Sequence, residues 1–357
     1  MIRIDEIYCN IFLPKLQEKP LRGMHYFDPF GSVKFEDLLT GEPIPWDENA
    51  HRYLFWDQEP LHKDTVDLAL KPFVKMFNGT RHIITSERNS EFVDYVVNTY
   101  KLIPHYYFFH GWAALDWYRG YDRTFLMTEP SKRQITKTFI MPNRIVAGAR
   151  QHRLFMLYHI FKYNMTDNWI SCPAVCPAEN ISIADAVQPL SGMYHDITKV
   201  FASQNLPMEF PNESGHPMHS ARLSLFKECS ESLLYLVTET VATGRRQHLT
   251  EKTFKPICLR MPFILLGPAG SLKYLRSYGF KTFWPLWDES YDDEINDIQR
   301  IEKISWTLRA LDAVPNSEKQ RLFDLAQEIC EYNYTHFYNG GFEQILWKEL
   351  TEMIAEF

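Results

Sequence analysis

The sequence lacks the marks of several protein classes. Its 357 residues contain no run of about 18 uninterrupted apolar residues, so no membrane-spanning helix is expected. The opening stretch, MIRIDEIYCNIFLPK, has no apolar core followed by a small-residue cleavage site, which predicts a soluble, unexported, cytoplasmic protein. Six cysteines (Cys9, Cys172, Cys176, Cys229, Cys258, Cys330) are scattered too widely for a disulfide framework and fit reduced thiols. Cys172 and Cys176 have no second cysteine pair and no histidine pair at zinc spacing, so they read as incidental thiols. The acidic segment Asp288–Asp297 lacks the DxDxDG order of a calcium loop and reads as a solvated face. No metal is expected, and a DxD motif is absent. No GxGxxG follows an early strand, which sets a dehydrogenase aside. There is no repeat of about 20 to 50 residues and no low-complexity tract. The net charge of −7 argues against a general nucleic-acid coat protein, whose affinity rests on phosphate neutralisation. Local basic clefts remain open at Ser131–Lys137, Arg144–Arg153 and Gly244–Arg246.

What is present suits a large folded chain. Hydrophobic residues at 45% and aromatics at 15% are ample for burial, and the length exceeds the usual single core, so two domains are expected. A first strand is expected near Ile2–Phe12. HRYLFW (His51–Trp56) reads as a strand ending in DQEP, followed by a helix over Lys63–Phe77. A strand over His82–Arg88, a helix over Ser90–Tyr100, a strand over His105–Phe109 and a helix from Trp112 continue the rhythm. It restarts with a strand over Thr136–Asn143 and a helix over Arg153–Asn164. Alternation of this kind predicts an α/β protein with parallel sheets. The simplest architecture is two Rossmann-like halves, residues 1–135 and 136–335, with a closing helix in 336–357 packing back on the first.

The stretch Val237–Gly270, VTETVATGRRQHLTEKTFKPICLRMPFILLGPAG, sets a charged Thr-Glu-Lys between two apolar runs. FILLG reads as a buried strand running into a Gly-Pro turn, the edge at which open α/β sheets bind ligands. TEKTFKPICLR reads as a helix with Thr250 as N-cap and Glu251 in the first turn, where the helix dipole favours a carboxylate or a phosphate. A sugar nucleotide needs a carboxylate for its ribose hydroxyls and a cation for its diphosphate. Glu251 and Lys252 supply them. Glu239 ends another apolar run, and Arg245 and Arg246 stand just before the helix.

Upstream, Asn143 sits where a strand should end and Arg153 opens a helix, a position from which a guanidinium can clamp a diphosphate. With Glu239 in VTET, LTEK (Leu249–Lys252) and MPFILLGP (Met261–Pro268), these elements resemble the donor half of fucosyltransferase-type glycosyltransferases of the GT-B class. Three separated motifs occur in that family's order, over residues of about 136–285. Pro142 stands where the family often has Ser, and Thr240 where it has Asn. The resemblance implies a GT-B fold, two Rossmann-like domains facing a central cleft, with no cofactor beyond the nucleotide-sugar substrate. It implies donor binding by Asn143, Arg153, Glu239, Arg246, Thr250, Glu251 and Lys252, with Arg153 and Lys252 on the diphosphate and Glu251 on the ribose. The first half is similar to uncharacterised glycosyltransferase-like proteins of phages and bacteria.

An inverting GT-B enzyme needs a base for the acceptor hydroxyl and a cationic site for the departing diphosphate. Asp57 and Glu59, directly after an apolar strand, are the expected catalytic carboxylates, and His110 at another strand end is a third candidate. Glu87 is expected on the acceptor side. Asp116, inside a helix, reads as structural. The function expected is transfer of a sugar to a hydroxyl of a glycan or of a hydroxymethylated base in phage DNA, and the acidic net charge leans towards glycan. The alternative is a non-catalytic sugar-nucleotide-binding protein.

Overall fold

Strands and helices alternate through most of the chain in a computed structural model, which describes residues 2–18, 21–27, 35–37, 47–121, 129–210 and 222–357. The protein is α/β, with parallel strands in both of its larger sheets. It divides into two units. The first comprises Met1–Trp117, Gly244–His248 and Gly340–Phe357, and the second Tyr118–Thr243 and Leu249–Asn339.

The first unit opens with α1 (Ile4–Ile7), a π-helical turn (Tyr8–Phe12) and α2 (Leu13–Gln17), where the sequence suggests a strand. Ile4, Ile7, Phe12 and Leu16 are the buried positions. Their steps of three, five and four residues are helical, and the π turn absorbs the wide middle step. Next come β1 (Arg22–Phe27), β2 (Phe35–Asp37), β3 (His51–Trp56), α3 (Lys63–Met76), β4 (Thr80–Thr85), α4 (Glu91–Tyr100), β5 (Ile103–Tyr106) and α5 (Phe109–Trp117). The sheet order is β2-β1-β3-β4-β5, and only the edge strand β2 runs antiparallel. β3 carries the apolar run Tyr53–Trp56 and β4 the pair Ile83–Ile84, and α3 and α4 belong to the same core, in which Leu54, Trp56, Leu70, Phe73, Ile83 and Val96 are buried together. The third expected strand is shorter than its apolar run, since Phe109 already opens α5. The closing helix Gly341–Ala355 belongs to this unit, with Trp347 edge-on to Trp112 at 4.8 Å.

The second unit holds β6 (Lys137–Met141), α6 (His152–Lys162), β7 (Trp169–Ile170), the hairpin β8 (Val175–Cys176) and β9 (Ile181–Ser182), α7 (Ile183–Val187), α8 (Ile197–Ala202) and α9 (Phe226–Glu231). It continues with β10 (Ser232–Thr238), α10 (Glu251–Cys258), β11 (Phe263–Leu266), α11 (Ser271–Ser277), α12 (Asp297–Asp312) and α13 (Asn316–Tyr338). Its main sheet is parallel throughout, in the order β11-β10-β6-β7. From β6 the chain first adds β7 on one side and later β10 and β11 on the other. The strand order therefore reverses between β6 and β10, the place where open α/β sheets leave a crevice at their carboxyl ends. All seven residues of β10 are buried, as suits a central strand covered on both faces. The boundary falls after Trp117 rather than near residue 135, because Arg133 donates to the carbonyls of Leu259 and Arg260 and the Ile135 amide donates to Gln320.

Among the described residues no helix is long and apolar enough to cross a membrane. The six cysteines are free thiols, and all but Cys9 are buried.

Candidate functional site

Glu239 follows β10 and is fully buried, and its carboxylate is closed by four donors. Oε1 accepts from the Thr250 amide at 3.0 Å and the Thr253 hydroxyl at 2.6 Å. Oε2 accepts from the Thr250 hydroxyl at 2.5 Å and the Thr240 amide at 3.2 Å. A carboxylate at the positive end of α10 is favoured by the helix dipole, and here it ties that end to the end of β10. Thr250 is the N-cap, as the sequence suggests, with its hydroxyl accepting from the Lys252 amide. Glu251 and Lys252 are thereby held at the carboxyl edge of the sheet. The Lys252 ammonium donates to Glu251 Oε1 at 2.8 Å and Thr240 Oγ1 at 3.2 Å, with Thr250 Oγ1 at 3.5 Å. Its side chain keeps 30% exposure, against 5% for Glu251.

Asn143 stands two residues beyond β6, directly across the order reversal from Glu239. Its Oδ1 accepts from the Thr238 hydroxyl at 2.7 Å, and its backbone exchanges two hydrogen bonds with the Ser171 hydroxyl after β7. The Asn143 Nδ2 group is buried without a hydrogen-bond partner. A buried amide left in that state is costly and calls for an acceptor. Arg153 is differently engaged. Its Nη1 donates to the Ile145 carbonyl at 2.7 Å, and its Nη2 to the carbonyls of Thr238 at 2.9 Å and Glu239 at 3.0 Å. Burial pulls its guanidinium down to about 9. The neighbouring His152 ring lies 3.0 Å from the Glu239 carbonyl, and burial lowers it to about 3, so at neutral pH an uncharged ring donates there through Nε2. Arg153 and His152 together brace the end of β10.

Two supporting residues escape the sequence reading. Ser171 carries only the weak signal of a hydroxyl after a short apolar run. Arg300, in α12, donates to the Gly267 carbonyl at 3.0 Å and to the Ala242 carbonyl, joining the loops after β11 and β10. A Cβ on Gly267 would stand 2.6 Å from the Ser271 hydroxyl, so the loop after β11 has little room for a side chain.

In the first unit the strand-end carboxylates are mostly enclosed. Asp57, directly after β3, is buried and accepts from the Tyr8 hydroxyl through Oδ2, while Oδ1 has no partner. Burial raises its carboxyl to about 7, the Tyr8 hydrogen bond opposing the shift. Glu59, two residues on, is partly exposed. Glu87, after β4, accepts from the Leu61 amide at 3.1 Å, the Ser90 hydroxyl and Arg246 Nη1 at 3.3 Å. Arg246, expected with the donor-binding residues, lies in the segment that belongs to the first unit. Its guanidinium also donates to the Leu61 carbonyl and lies 4.0 Å from the centre of the Phe92 ring. Both members of the Glu87–Arg246 pair are 1% exposed. His110, the second residue of α5, is buried with its ring edge-on to His248 at 5.2 Å. Asp116, also in α5, accepts from the Ile4 amide.

Asn143, Glu239, Thr250, Glu251 and Lys252 are thus one connected group in the second unit, and Arg153 stands behind them. Asp57, Glu59, Glu87, His110 and Arg246 belong to the first. Among the described residues no group of histidines, cysteines and carboxylates could hold a metal ion. No protein-family model, curated protein or solved structure matches this chain.

Proposed function

We propose that the chain is a glycosyltransferase of the GT-B class, with its second unit binding the nucleotide-sugar donor. The observation that carries this reading is the polar group at the order reversal between β6 and β10, where a partly exposed ammonium and an unsatisfied buried amide meet the carboxyl edge of a parallel sheet. In this reading Lys252 neutralises the donor diphosphate, Glu251 accepts from ribose hydroxyls, and Asn143 Nδ2 donates to a donor oxygen. Glu239, Thr250 and Arg153 hold these groups in place.

The reaction follows from that assignment. The acceptor oxygen attacks the anomeric carbon as the bond to the diphosphate breaks, and the leaving charge develops beside Lys252. A carboxylate base takes the hydroxyl proton. Asp57, which burial raises to about 7, has the proton affinity suited to a base at neutral pH, and Glu59 has the better exposure. Metal is not required, and the acceptor class that fits the net charge of −7 best is a glycan rather than hydroxymethylated DNA.

Calorimetry with UDP-, GDP- and TDP-sugars is the direct test. At least one should bind wild-type protein and bind Lys252→Ala much more weakly. If no sugar nucleotide binds, or Lys252→Ala binds equally well, the reading is wrong. Labelled donor should then be offered to oligosaccharides and to hydroxymethyl-containing DNA. The enclosure of Asp57, Glu87 and His110 favours a second reading, a binding protein that holds the donor without turnover. Binding with neither hydrolysis nor transfer would decide for it.

A further inference from the structure

Three histidines of the first unit stand in line across its sheet, one on each of β3, β4 and β5. Tyr53 pairs in register with His82 and Ile84 with His105, so His51, His82 and His105 share one face. His51 Nδ1 lies 3.0 Å from His82 Nε2, and His82 Nδ1 lies 2.9 Å from His105 Nε2. Because His82 turns one nitrogen to each neighbour, the group is a line of hydrogen bonds and not a cage for a cation. At the far end His105 Nδ1 is 3.5 Å from Glu356 Oε2, just past the helix Gly341–Ala355. His51 is partly exposed, whereas His82 and His105 are buried. Tyr53 stacks on His82 at 4.2 Å, and the Phe357 ring lies against Tyr53 at 4.8 Å and His105 at 4.9 Å. Arg22, from β1, donates to the Phe357 carbonyl.

Hydrogen bonding limits how many protons such a line can hold. An N···N contact near 3 Å has room for one hydrogen, since two would set N–H against N–H. With one hydrogen in each contact and one on each outer nitrogen, the line carries one hydrogen more than three neutral imidazoles do. The intact line therefore accepts one positive charge, whichever tautomers it adopts. Glu356 draws that charge to His105. Burial, then the flanking histidines and Arg22, lowers His82 to about 3, and burial also lowers His105, with Glu356 opposing the shift. Arg22, Tyr53 and Glu356 are the other titratable or charged groups that the described residues bring to the line. Tyr8, Asp57 and Tyr107 lie further along the same face, beyond the Phe12 ring, and Arg52 and Arg81 turn to the other face, where both meet Phe77.

We propose that this line is an acid-sensitive latch for the turn of Glu356 and Phe357. A second proton puts two hydrogens into one contact and breaks it. Two charged rings then need water, which reaches them when Phe357 lifts from the sheet. Well above the ordinary histidine value of 6.5 the line is intact and the turn is held. As pH falls below that value the open form takes up three protons and the closed form one. Opening thus becomes about 100-fold more favourable per pH unit, tenfold for each of the two extra protons. The latch goes beyond the transferase reading and does not depend on it, because it uses no residue of the group around Lys252.

The test is hydrogen exchange on the full chain between about pH 7.5 and pH 5, read by mass spectrometry on the peptide covering residues 347–357. The amides of Glu356 and Phe357, bonded to the carbonyls of Met353 and Ile354, report the turn. After correction for the intrinsic rate, their protection should be steady above about pH 7 and fall about 100-fold per unit below about pH 6. His82→Phe keeps a ring against Tyr53 and removes both contacts, so the fall should nearly vanish. His51→Phe, at a partly exposed position that leaves folding intact, keeps one contact and should reduce the fall to about tenfold per unit. A line with a merely structural role would shift protection by the same factor at every pH. The inference is overturned if protection in wild type falls less than about tenfold per unit, or if both variants keep the wild-type dependence.

Discussion

The two units meet the same problem, charged residues at the carboxyl ends of parallel strands, and resolve it in opposite ways. In the first, Glu87 is itself the internal fastener, closed by Leu61, Ser90 and Arg246 and removed from water. In the second, Glu239 does the fastening, and Arg153 and His152 brace the carbonyl beside it, so that Lys252 at the next position on α10 remains partly open. A strand-end charge is available to a ligand only where some other residue has taken on the work of holding the loop. That difference makes the Glu87 group a piece of core, and on the proposed reading it leaves the Lys252 group for the donor.

The largest effect expected from this contrast is on stability. Removing one member of a buried ion pair leaves the other charged and unsatisfied, which costs about 3–5 kcal/mol. Glu87→Ala and Arg246→Ala should each lose that much in urea denaturation. Replacing both residues by apolar ones of similar size should recover most of it, since the uncompensated charge is then gone. A loss below about 1 kcal/mol in either single variant would mean that the pair is not internal, and the contrast would fail.

Asp57 sharpens the contrast through pH. Its folded-state carboxyl is raised from 3.8 to about 7, so the fold favours the protonated form. The stability this gives is full below about 3.8 and is lost as pH climbs through 7. Asp57→Asn carries no charge at any pH and keeps an oxygen for Tyr8. At pH 8 it should therefore be more stable than wild type by on the order of 2–4 kcal/mol, with the gap closing by about pH 4. Urea midpoints at pH 4, 6 and 8 measure this directly. A gap that does not change with pH would show that Asp57 does not titrate as its burial requires. If Asp57 is the base, the same substitution abolishes transfer while stabilising the chain.

How much of this is legible in the sequence depends on the range of each contact. The alternation of strands and helices is readable because β3, β10 and β11 each contain four or more consecutive apolar residues, and the Thr250 cap because its partner amide is two residues away. The amino-terminal helix is not, because a π turn breaks the period that would reveal it. Arg153 reads as a cation at a helix start, but two of the three carbonyls it serves lie 85 and 86 residues further on. Arg246 stands six residues from Lys252 in the sequence, yet it belongs to the first unit, and its carboxylate partner there is 159 residues away. Sequence proximity identifies both as cations near a site, and only long-range packing reveals which charge is already spoken for.

Lys252 should show the reverse of the Glu87 pattern. Loss of a charge-assisted contact to a diphosphate removes about 1.5–3 kcal/mol of binding, or roughly a 10- to 100-fold rise in donor Kd for Lys252→Ala. Its urea midpoint should move little, because the residue is partly exposed and Glu239 keeps its four donors without it. If Lys252→Ala instead unfolds the second unit and leaves donor affinity intact in the folded fraction, Lys252 is as structural as Glu87.

Arg245 gives the smallest effect and the closest control, since it adjoins Arg246 in the same segment and differs only in where its guanidinium ends up. It pairs with Asp94, also in the first unit, but the two side chains are 63% and 60% exposed, and its other bond is to the Asn89 carbonyl. An ion pair in that setting gains little over hydration and is screened by salt. Arg245→Ala should therefore change stability by no more than about 0.5 kcal/mol, and the change should vanish in high salt. Its amide and carbonyl remain in place, so the bond from the Glu91 amide to the Arg245 carbonyl survives the substitution. A large loss would mean that the segment is held by Arg245 as well as by Arg246, and that burial alone does not separate the charges that fasten from those that are free to bind.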